Sequence, residues 1–432
     1  MGKNYKWLLL AFLSMAFFFH QADRVLFGLL TIPIQDELHL TDLQIGWINT
    51  ALFCTLAVMT PIGGFVGDRF SRKWIITFSL LFWSLMTACT GFVGGMCGLI
   101  FFRSIATGGG ESFYVPSALA LLASHHRETR SVALSVHQAA LYVGLMFSGA
   151  LVAWALHLFG GWRPVFFTFG GLGFLLGVVF VWALKDGRDA RPARPRTNGM
   201  DEDGGHAGRV TLPSAVQSHN SKISQSLRAY FCNPSALLAT GGFLAVVFAN
   251  NAYLSWAPKF MARKFALGVG AAGYGAMLYH HVAAFVAIMA GAFLTDACVR
   301  RNPRFRLLLQ TVALLLGAPA LILFGFAPSC IAAWAGVALY GVFRGLFEVN
   351  AHASLFDVVP PCHRSTAEGL MTMVAFFTGS LSPLMIGALS DKYGVRGFEI
   401  GFSILGVGYL LGAAAIAASF FFTFKKDRIV EE

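Results

Sequence analysis

The chain has 432 residues, of which 56% are hydrophobic and only 12% charged, with a formal net charge of +11. An ordinary soluble domain carries roughly 25% charged residues, so most of this chain does not meet water, and lipid is its expected solvent. The basic excess follows membrane topology rather than a nucleic-acid-binding patch, and no nucleic-acid partner is expected.

Taken in order, apolar runs near or above the roughly 20 residues that cross a bilayer recur twelve times. They cover 7–34, 43–67, 74–95, 99–124, 132–158, 165–184, 236–261, 271–295, 307–326, 331–353, 369–389 and 400–423. The first run holds Asp23 and Arg24 and reads as a membrane helix rather than a signal peptide. With both termini inside, the cytoplasmic set gathers Lys3, Lys6, Arg69, Arg72, Lys73, Arg127, Arg130, Arg300, Arg301, Arg304, Arg306, Lys425, Lys426 and Arg428. The first external loop is acidic, with Asp36, Glu37 and Asp42, as the positive-inside rule requires. Lys259, Arg263 and Lys264 fall outside and violate that rule locally.

Between the sixth and seventh runs the composition turns to Pro, Gly and charge, which reads as a flexible cytoplasmic linker. The expected organisation is a six-helix bundle over 1–184, a linker over 185–228 and a second six-helix bundle over 229–432. The stretch SKISQSLRAYF near the linker's end has the pattern of an amphipathic surface helix. The halves echo one another: Glu111 is followed by His126 and Arg127 at offsets that recur between Glu348, His363 and Arg364. A duplicated unit explains such coincidences.

The seven cysteines form no CxxC pair, and the His125/His126 and His280/His281 pairs lack partner ligands at metal spacing, so neither a disulfide framework nor a metal site is expected. No Walker A, HExxH or nucleophile-elbow motif is present, and Gly108–Gly110 follows no strand. The chain reads as a non-enzyme without a cofactor, whose energy comes from ion gradients.

The second run closes on Gly64-Phe65-Val66-Gly67-Asp68-Arg69-Phe70-Ser71-Arg72-Lys73, with an echo at Gly291, Thr295, Asp296, Arg300 and Arg301 after the eighth. This loop resembles the G-x-x-x-D-R-x-x-R-R/K signature of the major facilitator superfamily. The resemblance extends through Gly161-Trp162-Arg163 and through Ser382, Pro383, Gly387 and Asp391. It implies an all-α membrane fold of twelve helices in two pseudo-symmetric six-helix bundles, with Gly64, Asp68, Arg69, Arg72, Asp296 and Arg300 at a conformational switch. Two branches are similar: the anion:cation symporters of organic anions and the spinster carriers of lysolipids and sphingolipids. Both carry an Asp-Arg pair in the first helix, matched by Asp23-Arg24, and an Arg followed by a Glu in the fourth, matched by Arg103 and Glu111.

The residues themselves point the same way. A charge near the bilayer centre costs about 2.5–3.5 kcal/mol on insertion scales and calls for a partner or a task. Asp23 lies about 24 Å along its helix from Trp7 at 1.5 Å per residue, deep in the membrane. Static ion pairing between helices is the alternative to a transport role. The relatives space the Arg and Glu seven apart, whereas here the spacing is eight. Seven residues return to within about 20° of the same face and eight leave about 80°. A π-bulge or local unwinding near Ala106–Gly110 would absorb the extra residue.

Arg344 and Glu348, four apart in the tenth run, occupy the corresponding place in the second half and are expected to face the same cavity. Arg24, Tyr114, His137, Gln138, Asn250, Asn251, Tyr253 and Arg344 are candidate substrate ligands, with Tyr142 nearby, and each of the uncharged ones is equally suited to bonding another helix. Asp23, Arg103, Glu111 and Glu348 are candidate proton-coupling residues. The leading expectation is a monomeric proton-coupled symporter of a small organic anion, such as a sugar acid or other carboxylate, in a bacterial inner membrane. The alternatives are a spinster-like carrier of an amphipathic lipid, marked by an apolar lateral opening between segments five and eight, and a non-transporting receptor.

Overall fold

A computed structural model describes residues 5–126, 129–185 and 225–429, with the side chains at 68, 69, 130, 131, 362 and 365 left aside. The region 186–224 of the expected linker lies outside the described residues, as do Lys3, Arg127 and the side chains of Asp68, Arg69 and Arg130. The described chain is helical throughout its spans and contains no strand. Eleven helices are individually long and apolar enough to cross a membrane.

The exception is segment four, and its irregularity has a local cause. It runs as a π-helix over Leu99–Ala106, an α-helix over Thr107–Glu111 and, after a break, an α-helix over Tyr114–His125. A π-turn holds one residue more than an α-turn, so the eight-residue interval from Arg103 to Glu111 closes onto one side of the helix. The glycines that follow allow close packing: a Cβ on Gly110 would come within 2.9 Å of the Phe82 ring, and one on Gly108 within 2.9 Å of Leu52.

Helix ends elsewhere follow capping chemistry. Thr41 and Gln44 form a capping box at the start of segment two (Asp42–Arg69), and Asn233 caps segment seven (Pro234–Phe265), whose first residue is a proline. His39 and Ala266, both at positive φ, and Gly160 end helices in the left-handed conformation. Large apolar side chains on the perimeter, including Phe78, Trp182, Phe293 and Leu411, are more than two-thirds exposed and form a surface suited to lipid.

The repeat is visible in two matching bonds. His126 bonds the Lys6 carbonyl at 2.8 Å, at the start of segment one (Tyr5–Leu29), and His363 bonds Ser226 at 2.8 Å, just before segment seven. Each histidine ties the end of its half's fourth segment to the entry of its first. Ser226 belongs to a short helix over 225–231, inside the expected amphipathic stretch, which buries Ser226 and Tyr230 and exposes Leu227 and Phe231.

The two halves meet tightly at the face opposite the termini. There segments two and eleven interlock: a Cβ on Gly387 would lie 2.4 Å from the Asp42 carbonyl oxygen, and one on Gly46 2.9 Å from that of Pro383. Segments five (Arg130–Phe159) and eight (Val269–Val299) touch at Gly149 and Gly273 and at Gly270 and Ala153. These contacts close one mouth of the molecule.

Candidate functional site

Four charged side chains from segments one and four converge in the first half. Arg24 donates from Nε and Nη2 to Glu111 Oε2 at 3.4 and 3.3 Å, and His20 Nε2 lies 3.6 Å from the same oxygen. Behind them Asp23 accepts from Thr87 at 2.8 Å and lies 3.9 Å from the Arg103 Nη1. Arg103 Nη2 donates to the carbonyl oxygens of Asp23 and Arg24 at 2.8 and 2.9 Å, so the π-helical residue holds the backbone that carries both charges. The pairing is incomplete. Glu111 Oε1, Asp23 Oδ1 and Arg103 Nε and Nη1 are buried without a hydrogen-bond partner. Buried polar groups without a protein partner are met by water, an ion or a ligand.

Trp83, Tyr114 and His137 pack around this cluster, the Phe17 and His137 rings stacked at 4.4 Å. The second half builds a counterpart. Arg344 Nη2 lies 3.2 Å from Glu348 Oε2, one turn along segment ten, and Nη1 lies 3.2 Å from His280 Nε2. Tyr253 and Tyr340 enclose the His280 ring at 4.6 and 4.7 Å.

A cavity of about 500 Å³ opens from the Arg24–Glu111 pair toward the face that carries the termini. Its wall is largely carbon, from Leu56, Ala57, Pro61, Val115, Met373 and Phe376, relieved by the hydroxyls of Thr60, Ser112 and Thr372 and by the Glu368 carboxylate. The Arg24 side chain is 20% exposed, whereas that of Glu111 is 0% exposed. The guanidinium can therefore be reached while the carboxylate behind it stays sealed.

Among the expected substrate-binding and proton-coupling residues, only Arg24 and Glu111 line this cavity. Tyr114 is buried and donates to the Leu13 carbonyl at 2.6 Å, and Tyr253 donates to that of Ala276. Asn251 is buried against Gly379, Gln138 is exposed, and Asn250 carries a buried Oδ1 without a bond. Arg344 and Glu348 lie outside the lining, with Tyr142 beside them. The apolar opening between segments five and eight that would mark a lipid carrier is not seen among the described residues: those helices are packed together, and Tyr142 meets Phe285 at 5.8 Å, while segments two, four and eleven border the cavity. At the expected switch, Arg72 donates to the Ala120 carbonyl at 3.3 Å, and Asp296 and Arg300 are exposed. Gly64 meets no atom within 4 Å of an added Cβ.

Three groups of functional interest escape sequence reasoning. Glu368 lines the cavity across from Arg24 and pairs with His352 at 3.6 Å. Lys259, one of the topology violators, donates to Asp42 and, at 2.5 Å, to Gln35 across the closed mouth. Asp42 also accepts from Ser390 at 2.5 Å, and Asp391 accepts from the Asp42 and Leu43 backbone N–H groups at 2.8 Å each, capping segment two with a carboxylate from the other half. The other violators are matched as well, Lys264 by Glu399 at 2.6 Å and Arg263 by Asp36 at 3.9 Å. The third is Glu37, which accepts from Trp162 at 2.6 Å and Arg163 at 2.9 Å, so that the Gly161-Trp162-Arg163 stretch ties the loops of the first half together.

Comparison with known proteins gives this arrangement a family. The Major Facilitator Superfamily model matches residues 12–383. Protein spinster homolog 1 of Xenopus tropicalis is 26% identical over 375 residues, covering 83% of this chain and 68% of that protein. Protein spinster of Drosophila melanogaster is 25% identical over 409 residues, covering 89% of this chain and 62% of that one. Among solved structures, a bacterial homologue of the human lysosomal transporter spinster, inward-facing and occupied, superposes with a TM-score of 0.83 over 100% of both chains at 18% identity. The nucleoside transporter NupG superposes with a TM-score of 0.73 at 14% identity, over 97% of this chain and 100% of that one. At such identities the structures speak for the fold alone. With the family model spanning most of the chain, the protein belongs to the Major Facilitator Superfamily of membrane transporters and resembles the spinster proteins within it.

Proposed function

We propose that this transporter carries an amphipathic organic anion, driven by protons, by alternating access between its two halves in the plasma membrane with both termini in the cytoplasm. The observation that carries the reading is the Arg24–Glu111 pair at the head of a cavity whose walls are mostly carbon. A carboxylate or phosphate entering the cavity meets the reachable guanidinium, which forms charge-assisted and bidentate bonds to such groups. The apolar wall takes the rest of the molecule. A sugar acid fits less well, because its hydroxyls would face Leu56, Pro61, Val115 and Met373 and lose hydrogen bonds they hold in water. The wall thus favours the amphipathic carrier over the small hydrophilic anion, and the likeness to the spinster proteins supports the same choice.

Coupling follows from competition for one partner. Glu111 is sealed from solvent and shares Arg24 with any bound acid. When the substrate acid takes Arg24, Glu111 exchanges its ion-pair partner for a proton; when the substrate leaves, the pair re-forms and the proton is released. Arg103 holds the backbone of Asp23 and Arg24 at that point, and Arg344–Glu348 is the matching pair of the second half.

The test is binding and flux in purified protein. Arg24→Ala removes saturable binding of amphipathic anions, and Arg24→Lys restores it incompletely because the planar fork is gone. Unchanged affinity in Arg24→Ala would make the arginine structural. Flux of the anion into proteoliposomes separates a carrier from a receptor.

A further inference from the structure

A second recess, of about 420 Å³, lies on the face of the termini, in the second half and away from the transport cavity. Its lining includes Arg306 at the start of segment nine, Phe356 and Asp357 at the end of segment ten, Arg364 at the start of segment eleven, and Arg428 and Ile429 beyond segment twelve. Three guanidiniums and one carboxylate therefore share one concavity. Asp357 is committed: both its oxygens accept from Arg306 Nη1, at 2.8 and 2.7 Å, while Arg306 Nε is buried without a partner. Arg364 is held in place by the Phe356 carbonyl at 2.8 Å and lies over the Phe356 ring at 5.8 Å. The stretch beyond segment twelve completes the recess, since the Ile429 N–H donates to the Asp357 carbonyl at 2.9 Å and so sets Arg428 at the rim.

The level of the recess indicates its ligand. Phe421 and Phe422, 68% and 81% exposed, sit one to two turns before Arg428 on a helix end, the pattern of side chains that meet lipid just below the polar surface. Basic recesses between helix ends at that level take phosphate-bearing headgroups, through a charge that outlasts neutralisation by nearby carboxylates. We infer that the Arg306–Arg364–Arg428 recess binds a phosphate group, presented by an anionic phospholipid headgroup or by a soluble phosphate ester. Nothing in the transport mechanism above uses these residues.

The experiment uses full-length protein carrying Arg24→Ala, delipidated in neutral detergent, so that the transport cavity offers no anion site and the outcome is independent of the proposed substrate. Dioctanoyl phosphatidylglycerol, dioctanoyl phosphatidylcholine and inorganic phosphate are titrated separately, with melting temperature and native mass spectrometry as readouts. The site binds the phosphatidylglycerol in preference to the phosphatidylcholine, and Arg428→Ala weakens that binding about tenfold, the loss expected for one charged hydrogen bond. Arg428 is exposed, and truncating an exposed side chain changes stability little. Competition between the lipid and inorganic phosphate assigns the site to headgroups, and stabilisation by phosphate with no added effect of lipid assigns it to soluble esters; both support a phosphate site. Equal binding of the two lipids with no response to inorganic phosphate, or binding of lipid and phosphate alike unchanged by Arg428→Ala, overturns it.

Discussion

The lock across the closed mouth is the part of the structure whose energy can be worked out most directly. Lys259 of the second half and Asp42 of the first form an ion pair with side chains only 6% and 12% exposed. Replacing Lys259 by Met keeps the stem's packing beside Trp256, and removes the charge. Breaking a buried pair by deleting one partner costs about 3–5 kcal/mol, because the remaining charge stays desolvated. Asp42 retains Ser390, Gln35 and a position at a helix N-terminus, so the lower figure of about 3 kcal/mol applies. The penalty falls on the conformation in which this mouth is closed; in the alternate one the segments separate and Asp42 meets water. About 3 kcal/mol is a shift of roughly a hundredfold, which takes a population held near 99 to 1 close to parity. Spin labels at His39→Cys and Lys392→Cys, in a cysteine-free background, report the gap between segments two and eleven by electron–electron double resonance. Lys259→Met introduces a second, longer distance of comparable weight, and adding Asp42→Asn reduces it again, because no unpaired charge is left behind. A single unchanged distance in folded Lys259→Met protein would refute the lock.

Two further outcomes follow from other parts of the molecule. Arg163, with Trp162, holds the Glu37 carboxyl below its ordinary value of 4.5, so its contribution to stability is complete above the unfolded value and is lost as pH falls through the native one. Glu37→Gln therefore lowers the melting temperature slightly at neutral pH, where the contribution is complete, and converges with the wild-type profile as pH falls below about 4.5, flattening the acid limb; the effect is small and salt-sensitive because the side chain is 48% exposed. Asp68→Asn, in the signature loop far from the cavity, lowers turnover while equilibrium substrate binding stays within a few-fold; loss of binding in a protein that elutes and melts normally contradicts a switch role.

The parts of this account that were legible in the sequence are those written in local pattern. Hydropathy locates the spans because lipid acts on each helix separately, and the eight-residue step from Arg103 to Glu111 announces the irregular turn of segment four. Pairing across the fold was not legible. Lys259, Arg263 and Lys264 read as a topological anomaly because their carboxylates lie far away in sequence, 217 residues in the case of Asp42. Glu368 gives no signal in the sequence because it adjoins the start of an apolar run, where a charge is usual, although the helix turns it into the cavity. Tyr114 and Tyr253 illustrate the converse: a hydroxyl in an apolar run must find a partner, and the sequence alone does not choose between a substrate and a neighbouring helix's carbonyl.

The central claim, that substrate acid and proton compete through the Arg24–Glu111 pair, is tested most directly with Glu111→Gln in proteoliposomes. Glutamine keeps the shape of the protonated carboxyl and cannot release a proton. This variant still exchanges anion between two loaded compartments but no longer accumulates it when a pH gradient is imposed. Accumulation at the wild-type level in Glu111→Gln would contradict the account and pass the proton's role to Asp23 or Glu348.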